Sequence, residues 1–164
     1  MKTRKMNVPV KYLPKKLNKK DFLMQKKQLL KSKKLYKNRK YHTRKRVDSY
    51  KSKRSKHFIT LKKLYNVDKI AVNELSKKTK CSKHALNKII KKGQGAYYSS
   101  GSRPNQSAHS WGLGRLASAV SGGKAAVIDF KILEEGCGPK SKALILAKNA
   151  IKKYGKTTRR VPKH

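Results

Sequence analysis

Residues 73–93 read NELSKKTKCSKHALNKIIKKG, and the fold class turns on this stretch. Leu75 and small Ser76 in a first segment, Cys81 in a break, and Leu86 with Ile89 in a second segment suit two helices packed across a turn at residues 80–82. Ser82 can cap the second helix, because its hydroxyl can accept from a first-turn amide, and Gly93 can end it. This is the spacing of a helix-turn-helix. The pattern departs at Lys80, where such turns commonly take glycine and where a side chain is strained if φ is positive. On such a pair Lys83, His84, Asn87 and Lys88 share the outer face of the second helix, from which a recognition helix reads bases. A helical hairpin that never meets nucleic acid would show the same lattice.

C-terminal to this unit lies a nearly neutral island, 93–139, rich in Gly, Ser and Ala. It opens with GQGAYYSSGSRPNQS, which reads as a turn-rich loop anchored by Tyr97 and Tyr98, with Gly93, Gly95 and Gly101 permitting tight backbone paths. Ser107 can then cap a helix from Ala108 to about Val120, carrying Trp111, Leu113, Leu116, Ala117 and Val120. Gly112 and Gly114 weaken that helix by roughly 1–2 kcal/mol against alanine, which implies close approach of another backbone. The run from Ala125 to Phe130 reads as a short buried strand, residues 131–135 as a helical turn, and Gly136 to Pro139 as a breaker. Behind Ser141, Leu144, Ala147, Ile151 and Tyr154 share one face of a last helix that Gly155 stops. Tyr97, Tyr98, Arg103, Trp111 and Arg115 are the island's candidates for packing or partner contact, with Asp129 and Glu134 as ionic partners for Arg103 or Arg115.

N-terminal to the hairpin the composition changes. Residues 1–17, with Pro9 and Pro14 among cations, read as an extended basic arm that is disordered alone. Residues 18–66 read as a basic helical arm: Asn18 and Asp21 suit a helix start, and Phe22, Leu29 and Tyr36 with Leu23 and Leu30 repeat at seven-residue spacing to about Tyr36. KNRKYHTRKRVDSYKSKRSK, 37–56, reads as a charge-driven segment that orders on a partner, with Arg44, Lys45, Arg46, Lys51, Lys53 and Arg54 as its contacts. Phe58, Ile59, Leu61, Leu64 and Tyr65 then mark a second amphipathic helix. The predicted architecture is therefore mainly α with a short β element. It has a small α+β core over 67–155 containing the helix-turn-helix-like pair 73–93, the island and a terminal helix over 140–154, flanked by long basic extended arms and a basic tail, 156–164.

The 164 residues carry 46 Lys and Arg against 7 Asp and Glu, a formal net charge of +39, and residues 1–66 hold 25 of those cations. Solubility needs only about 2–8 units on a small domain, so a polyanionic partner is implied. Lysine predominates; it acts as a hydrated point charge without the planar fork that reads guanine, which favours backbone neutralisation over sequence reading. No apolar run approaches the roughly 20 residues of a membrane span, and the first residues lack the apolar centre of a secretory leader. Cys81 and Cys137 are accordingly expected as buried thiols of a reducing compartment.

Sites of other kinds find little material. SGGKAA, 121–126, lacks the upstream glycine and the hydroxyl after lysine that a phosphate loop needs, and it precedes an expected strand. His109, Ser110 and Asp129 supply the residue types of a hydrolase triad with no nucleophile elbow. Cys81 and His84 have the spacing of two zinc ligands, but His109 and Cys137 would have to complete the set without any pattern. No catalytic residue, metal, cofactor or small-molecule substrate is expected.

The string KKGQGAYYSSGSRPNQSAHSWGLGRLASAVSGGKAAVIDFKILEEGC resembles a family of small, uncharacterised basic proteins of large double-stranded DNA viruses and some phages. VPVKYLP and YHTRKRVDSYKSKRSKH resemble the arm regions of its giant-virus members, so the likeness runs from about Val8 to Cys137. The resemblance implies a virion component, with the capsid proteins of the same virion, double-stranded DNA or an anionic inner membrane as partners. Two functions follow as expectations: a minor capsid or internal virion protein, and a DNA-binding or DNA-condensing protein using the hairpin.

Overall fold

The computed structural model describes residues 8–155, so the tail 156–164 and the first seven residues of the expected arm lie outside the described residues. The chain is mainly helical: a 3₁₀ turn at Val10–Tyr12 precedes α1 (Lys19–Lys37), α2 (Lys56–Tyr65), α3 (Val72–Thr79), α4 (Lys83–Ser99), α5 (Ala108–Val120), α6 (Lys124–Ile128), α7 (Phe130–Gly136) and α8 (Lys142–Tyr154). Among the described residues there is no strand, only an isolated antiparallel bridge between Cys81 and Cys137. Two compact units form. One joins residues 8–53 to Gly95–Ala108; the other joins Arg54–Gln94 to residues 109–155. These boundaries differ from those expected, cutting both the basic arm and the island, and α4 supplies its last residues to the first unit.

The second unit is built around the hairpin. Leu75, Leu86 and Ile89 are fully buried with Leu61, Leu116, Val120, Leu133 and Ala147, which makes one apolar core of elements α2 to α8. Lys80 ends α3 in the left-handed region at φ 57°, the strained choice anticipated for the turn. The Ser82 hydroxyl accepts the Ala85 N–H at 3.1 Å, as a cap should. Gly93 does not stop α4; the helix runs on to Ser99, because a helix needs its glycine stop at a positive φ and Gly93 has none. Gly93 serves a close crossing instead: a Cβ there would lie 2.6 Å from the Cα of Gly112, and one on Gly112 would lie 2.7 Å from the Ile90 carbonyl oxygen. The approach expected from the glycines of α5 is therefore made by Gly112, whereas Gly114 has nothing within 4 Å.

Two expectations for this unit fail. The run read as a strand is helical over Lys124–Ile128: apolar runs this short carry no period that separates strand from helix. Here Gly123 precedes the helix, the Ser118 hydroxyl accepts the Ala125 N–H at 3.3 Å, and Ala125, Ala126 and Val127 are buried. SGGKAA thus leads into a five-residue helix, so the phosphate-loop reading now fails on its spacing alone. Cys81 and Cys137 are joined as a disulfide rather than held as thiols. The Ser82 N–H donates to the Gly136 carbonyl at 2.8 Å and the Gly138 N–H to that of Lys80 at 2.9 Å, which lays the two cysteines side by side. The same closure engages Ser141, whose hydroxyl bonds the Thr79 carbonyl and caps α8 at Leu144.

The first unit replaces the expected arms. Val8, Tyr12, Leu13 and Leu17 are buried, and the Gln25 side chain donates to the Tyr12 carbonyl at 3.1 Å, so the proline-bearing segment is packed, not extended. Asn18 caps α1 by accepting the Asp21 N–H at 2.8 Å. The buried face of α1 is unexpected: Asp21, Gln25, Gln28 and Ser32 lie inside, while Leu23 and Leu30 are 55% and 45% exposed. Asp21 and Gln28 hold the backbone of the basic segment and Ser32 its Arg44 side chain, as the next subsection describes.

Gly112→Ala should destabilise the protein by about 1–3 kcal/mol through overpacking of the crossing, while Gly114→Ala, in open space, should stabilise it by about 0.5–1 kcal/mol; chemical denaturation of both variants checks the pair. A Cys81→Ser, Cys137→Ser double variant, or the reduced protein, should lose about 2–4 kcal/mol, read as a lower melting temperature with the helical circular dichroism retained below it.

Candidate polyanion-binding surface

The hairpin presents one face as expected. Lys83, His84, Asn87 and Lys88 are exposed on α4, opposite Ala85, Leu86, Ile89 and Ile90, which are buried. The 3.6-residue period dictates this division, since positions i, i+1, i+4 and i+5 share a side. The arrangement offers two cations, an imidazole and an amide to a groove or to a phosphate row.

In the first unit, Lys45, Arg46, Lys51 and Lys53 are exposed, as is Arg54 at the start of the second, but Arg44 is not. Arg44 is 8% exposed, and it organises the unit from inside. Its Nη1 donates to the Ser32 hydroxyl at 2.9 Å and the Tyr97 carbonyl at 2.8 Å; its Nη2 donates to the Ser102 hydroxyl at 2.8 Å. The guanidinium lies over the Tyr97 ring at 3.7 Å from its centroid, while the Arg44 N–H donates to the Tyr97 hydroxyl at 3.1 Å. Burial pushes the Arg44 guanidinium below its ordinary pKa, an effect that the facing Tyr97, Tyr12 and Tyr98 hydroxyls oppose. Arg44 is thus corrected from a partner contact to an internal anchor, because neutral oxygens and a π face replace the water it loses.

The rest of segment 37–56 follows that anchor. Asn105, in the left-handed region, accepts the Val47 N–H at 2.8 Å and donates to the carbonyls of Val47 and Tyr50 at 2.9 and 3.0 Å. The Asp21 carboxylate accepts the Ser49 N–H at 2.7 Å, and the Ser49 hydroxyl, with that amide, holds its carboxyl below the usual carboxylate range. Gln28 Oε1 lies 2.8 Å from His42 Nε2 and accepts the Lys45 N–H at 3.3 Å. His42 is held below its ordinary pKa, first by burial and then by Lys31, Arg44 and Lys45. Val47 is fully buried. The segment read as partner-dependent is therefore ordered by side chains of α1 and by the loop after α4, whose Gly101 leaves room for Leu29 and Tyr12. A lone Val47 in a charge run and the Asn105 turn residue were the only signals of this in the sequence.

Of the island candidates, Tyr97 is fully buried, Tyr98 and Trp111 are half-buried, and Arg103 is exposed. Arg115 packs within the second unit, where its guanidinium donates to both oxygens of buried Asp129 at 2.7 and 2.8 Å. Lys92 joins the same carboxylate at 2.9 Å, so Asp129 is committed to two cations of α4 and α5 and cannot orient His109 toward Ser110. Tyr97 does anchor its segment, but as the last part of helix α4 and not as a loop. No group of three or more His, Cys, Asp or Glu side chains among the described residues could hold a metal ion, and none of the described helices is long and apolar enough to cross a membrane.

A model of a family of unknown function, DUF5824, matches residues 9–133, three quarters of the chain. No curated protein and no solved structure matches.

Arg44→Lys should destabilise the protein by about 2–4 kcal/mol, because an ammonium cannot satisfy Ser32, Ser102 and the Tyr97 carbonyl together. Lys45→Ala, one residue on, should stay within about 0.5 kcal/mol of the parent. Denaturant unfolding of the two variants separates an internal anchor from a surface cation.

Proposed function

We propose, for a chain that belongs to the DUF5824 family, that it is a structural, non-enzymatic nucleic-acid-binding protein of a virion. The observation that carries the binding reading is the separation of its charges. Arg44 is buried among neutral oxygens and Arg115 on Asp129, while Lys45, Arg46, Lys51, Lys53, Arg54, Lys83 and Lys88 face outward from folded segments. Cations displayed this way, in a chain of formal net charge +39, are suited to a phosphate backbone, where each neutralised phosphate releases condensed counterions. The virion reading rests on the resemblance of residues 91–137 to basic proteins of large DNA viruses.

Two forms of this reading differ in partner. In the first, a minor capsid or internal virion protein lies between shell subunits and the genome or an anionic inner membrane, threading basic arms among them. In the second, a DNA-binding protein sets Lys83, His84, Asn87 and Lys88 of α4 against the duplex. The packing of residues 8–50 favours the second, because threading needs chain that is free to extend and this stretch satisfies its backbone internally. Capsid proteins remain proposed partners of the first form.

Duplex binding followed by fluorescence anisotropy over a salt series should give a steep linear fall of log affinity with log salt. Lys83→Ala and Lys88→Ala should each reduce that slope by about one, and Asn87→Ala should narrow the spread of affinities among different sequences. Salt-insensitive or absent duplex binding, with the protein retained on nuclease-treated shells, would decide for the capsid form.

A further inference from the structure

Segment 36–41 turns back on itself through a helix end of a specific kind. The Arg39 N–H donates to the Tyr36 carbonyl at 2.9 Å and the Lys40 N–H to the Leu35 carbonyl at 2.9 Å, the paired bonds of a Schellman motif. Arg39 occupies its left-handed position at φ 57°, where glycine is the usual residue. The reversal brings Tyr41 back over α1. Its ring lies 6.1 Å from that of Tyr36 and 5.0 Å from that of Tyr98, which in turn meets Tyr97 edge-on at 5.1 Å. The row therefore begins on the buried Arg44 anchor at Tyr97 and ends in solvent, with Tyr36 37% and Tyr41 68% exposed.

An aromatic ring held by neighbours yet mostly in water is an unfilled stacking surface. The cations that accompany it in sequence, Lys34, Lys37, Arg39, Lys40 and Lys45, are all exposed. Both acidic residues of the first unit lie elsewhere in the sequence, at Asp21 and Asp48, and Asp21 is buried. A protein partner with an apolar face would be met by this density of lysine, whereas a single strand brings flat bases for the tyrosines and phosphates for the cations. Paired bases in a duplex have no free face to offer except at an end. We infer that the Tyr36–Tyr41–Tyr98 row is a stacking platform for unpaired bases, so that the chain binds single-stranded nucleic acid through residues other than Lys83, His84, Asn87 and Lys88. The inference rests on the nucleic-acid reading above and narrows it to a second substrate class.

The full chain would be titrated, by anisotropy at fixed moderate salt, against a labelled oligo-dT, a duplex of equal length, and dextran sulfate as a polyanion without bases. Base stacking on an aromatic ring is worth on the order of tenfold in affinity per base. Tyr41→Ala should therefore weaken oligo-dT binding by roughly tenfold while leaving duplex and dextran sulfate binding unchanged. Tyr41→Trp should restore it, with the circular dichroism of every variant matching the parent because the ring is exposed, and its indole emission should be quenched on saturation with oligo-dT. Parental oligo-dT affinity in Tyr41→Ala would overturn the platform while leaving the duplex reading standing. An equal loss for all three polyanions would overturn it too, by showing a nonspecific effect of the variant. Failure of the parent chain to bind any nucleic acid would instead overturn the reading on which the platform rests.

Discussion

A guanidinium removed from water must find acceptors in the fold, and the first unit is arranged around that requirement at Arg44. Its acceptors are two serine hydroxyls and a backbone carbonyl, with the Tyr97 ring against its face. In a chain with only 7 carboxylates such neutral partners are the available ones. They come from α1, from the end of α4 and from the loop after it, so satisfying one cation fixes three parts of the chain to one another. Removing any acceptor would leave a buried donor unmet, which costs more than the hydrogen bond itself contributes.

The same constraint explains the inverted helix α1. A run of backbone with no sheet or helix partners, 41–50, needs acceptors and donors beside it, and α1 provides Asp21 and Gln28, with Ser32 one turn beyond Gln28 accepting from the Arg44 guanidinium. Four polar residues are therefore inside with Leu29, while Leu23 and Leu30 are outside, against the usual amphipathic division. Asn105 supplies the remaining contacts by pairing with Val47 and Tyr50 as a neighbouring strand would. The charge of the segment then projects outward because its backbone and its one buried cation are held inward.

This is also where the sequence was legible and where it was not. The caps at Asn18, Ser82 and Ser141, the hairpin lattice of Leu75, Leu86 and Ile89, and the face of α8 could be read because each depends on residues within a few positions of one another. The Gly112 contact could be anticipated in kind, since glycine in a helix interior has a local cost that needs a distant reason. The helix at Lys124–Ile128 reads as a strand in sequence because a short apolar run has no period. The buried role of Arg44, the face of α1 and the Cys81–Cys137 disulfide were illegible for a common reason. Each joins residues far apart in the chain, from 12 positions for Ser32 and Arg44 to 56 for the cysteines and 58 for Arg44 and Ser102, and composition points the other way in each case. Of the expected site residues, Lys83, His84, Asn87 and Lys88 lie together on one exposed face, whereas Arg44 and Arg115 belong to the interior.

The central claim is that a strongly cationic segment is ordered by its own protein and not by a polyanion, so that its lysines are displayed before any partner arrives. Native-state hydrogen exchange on the free chain tests this most directly, at the amides of Arg44, Val47 and Ser49, which donate to Tyr97, Asn105 and Asp21. The account predicts strong protection of all three in the absence of nucleic acid, little changed when nucleic acid is added. Exchange at the rate of an unstructured peptide, with protection gained only on adding a polyanion, would contradict it.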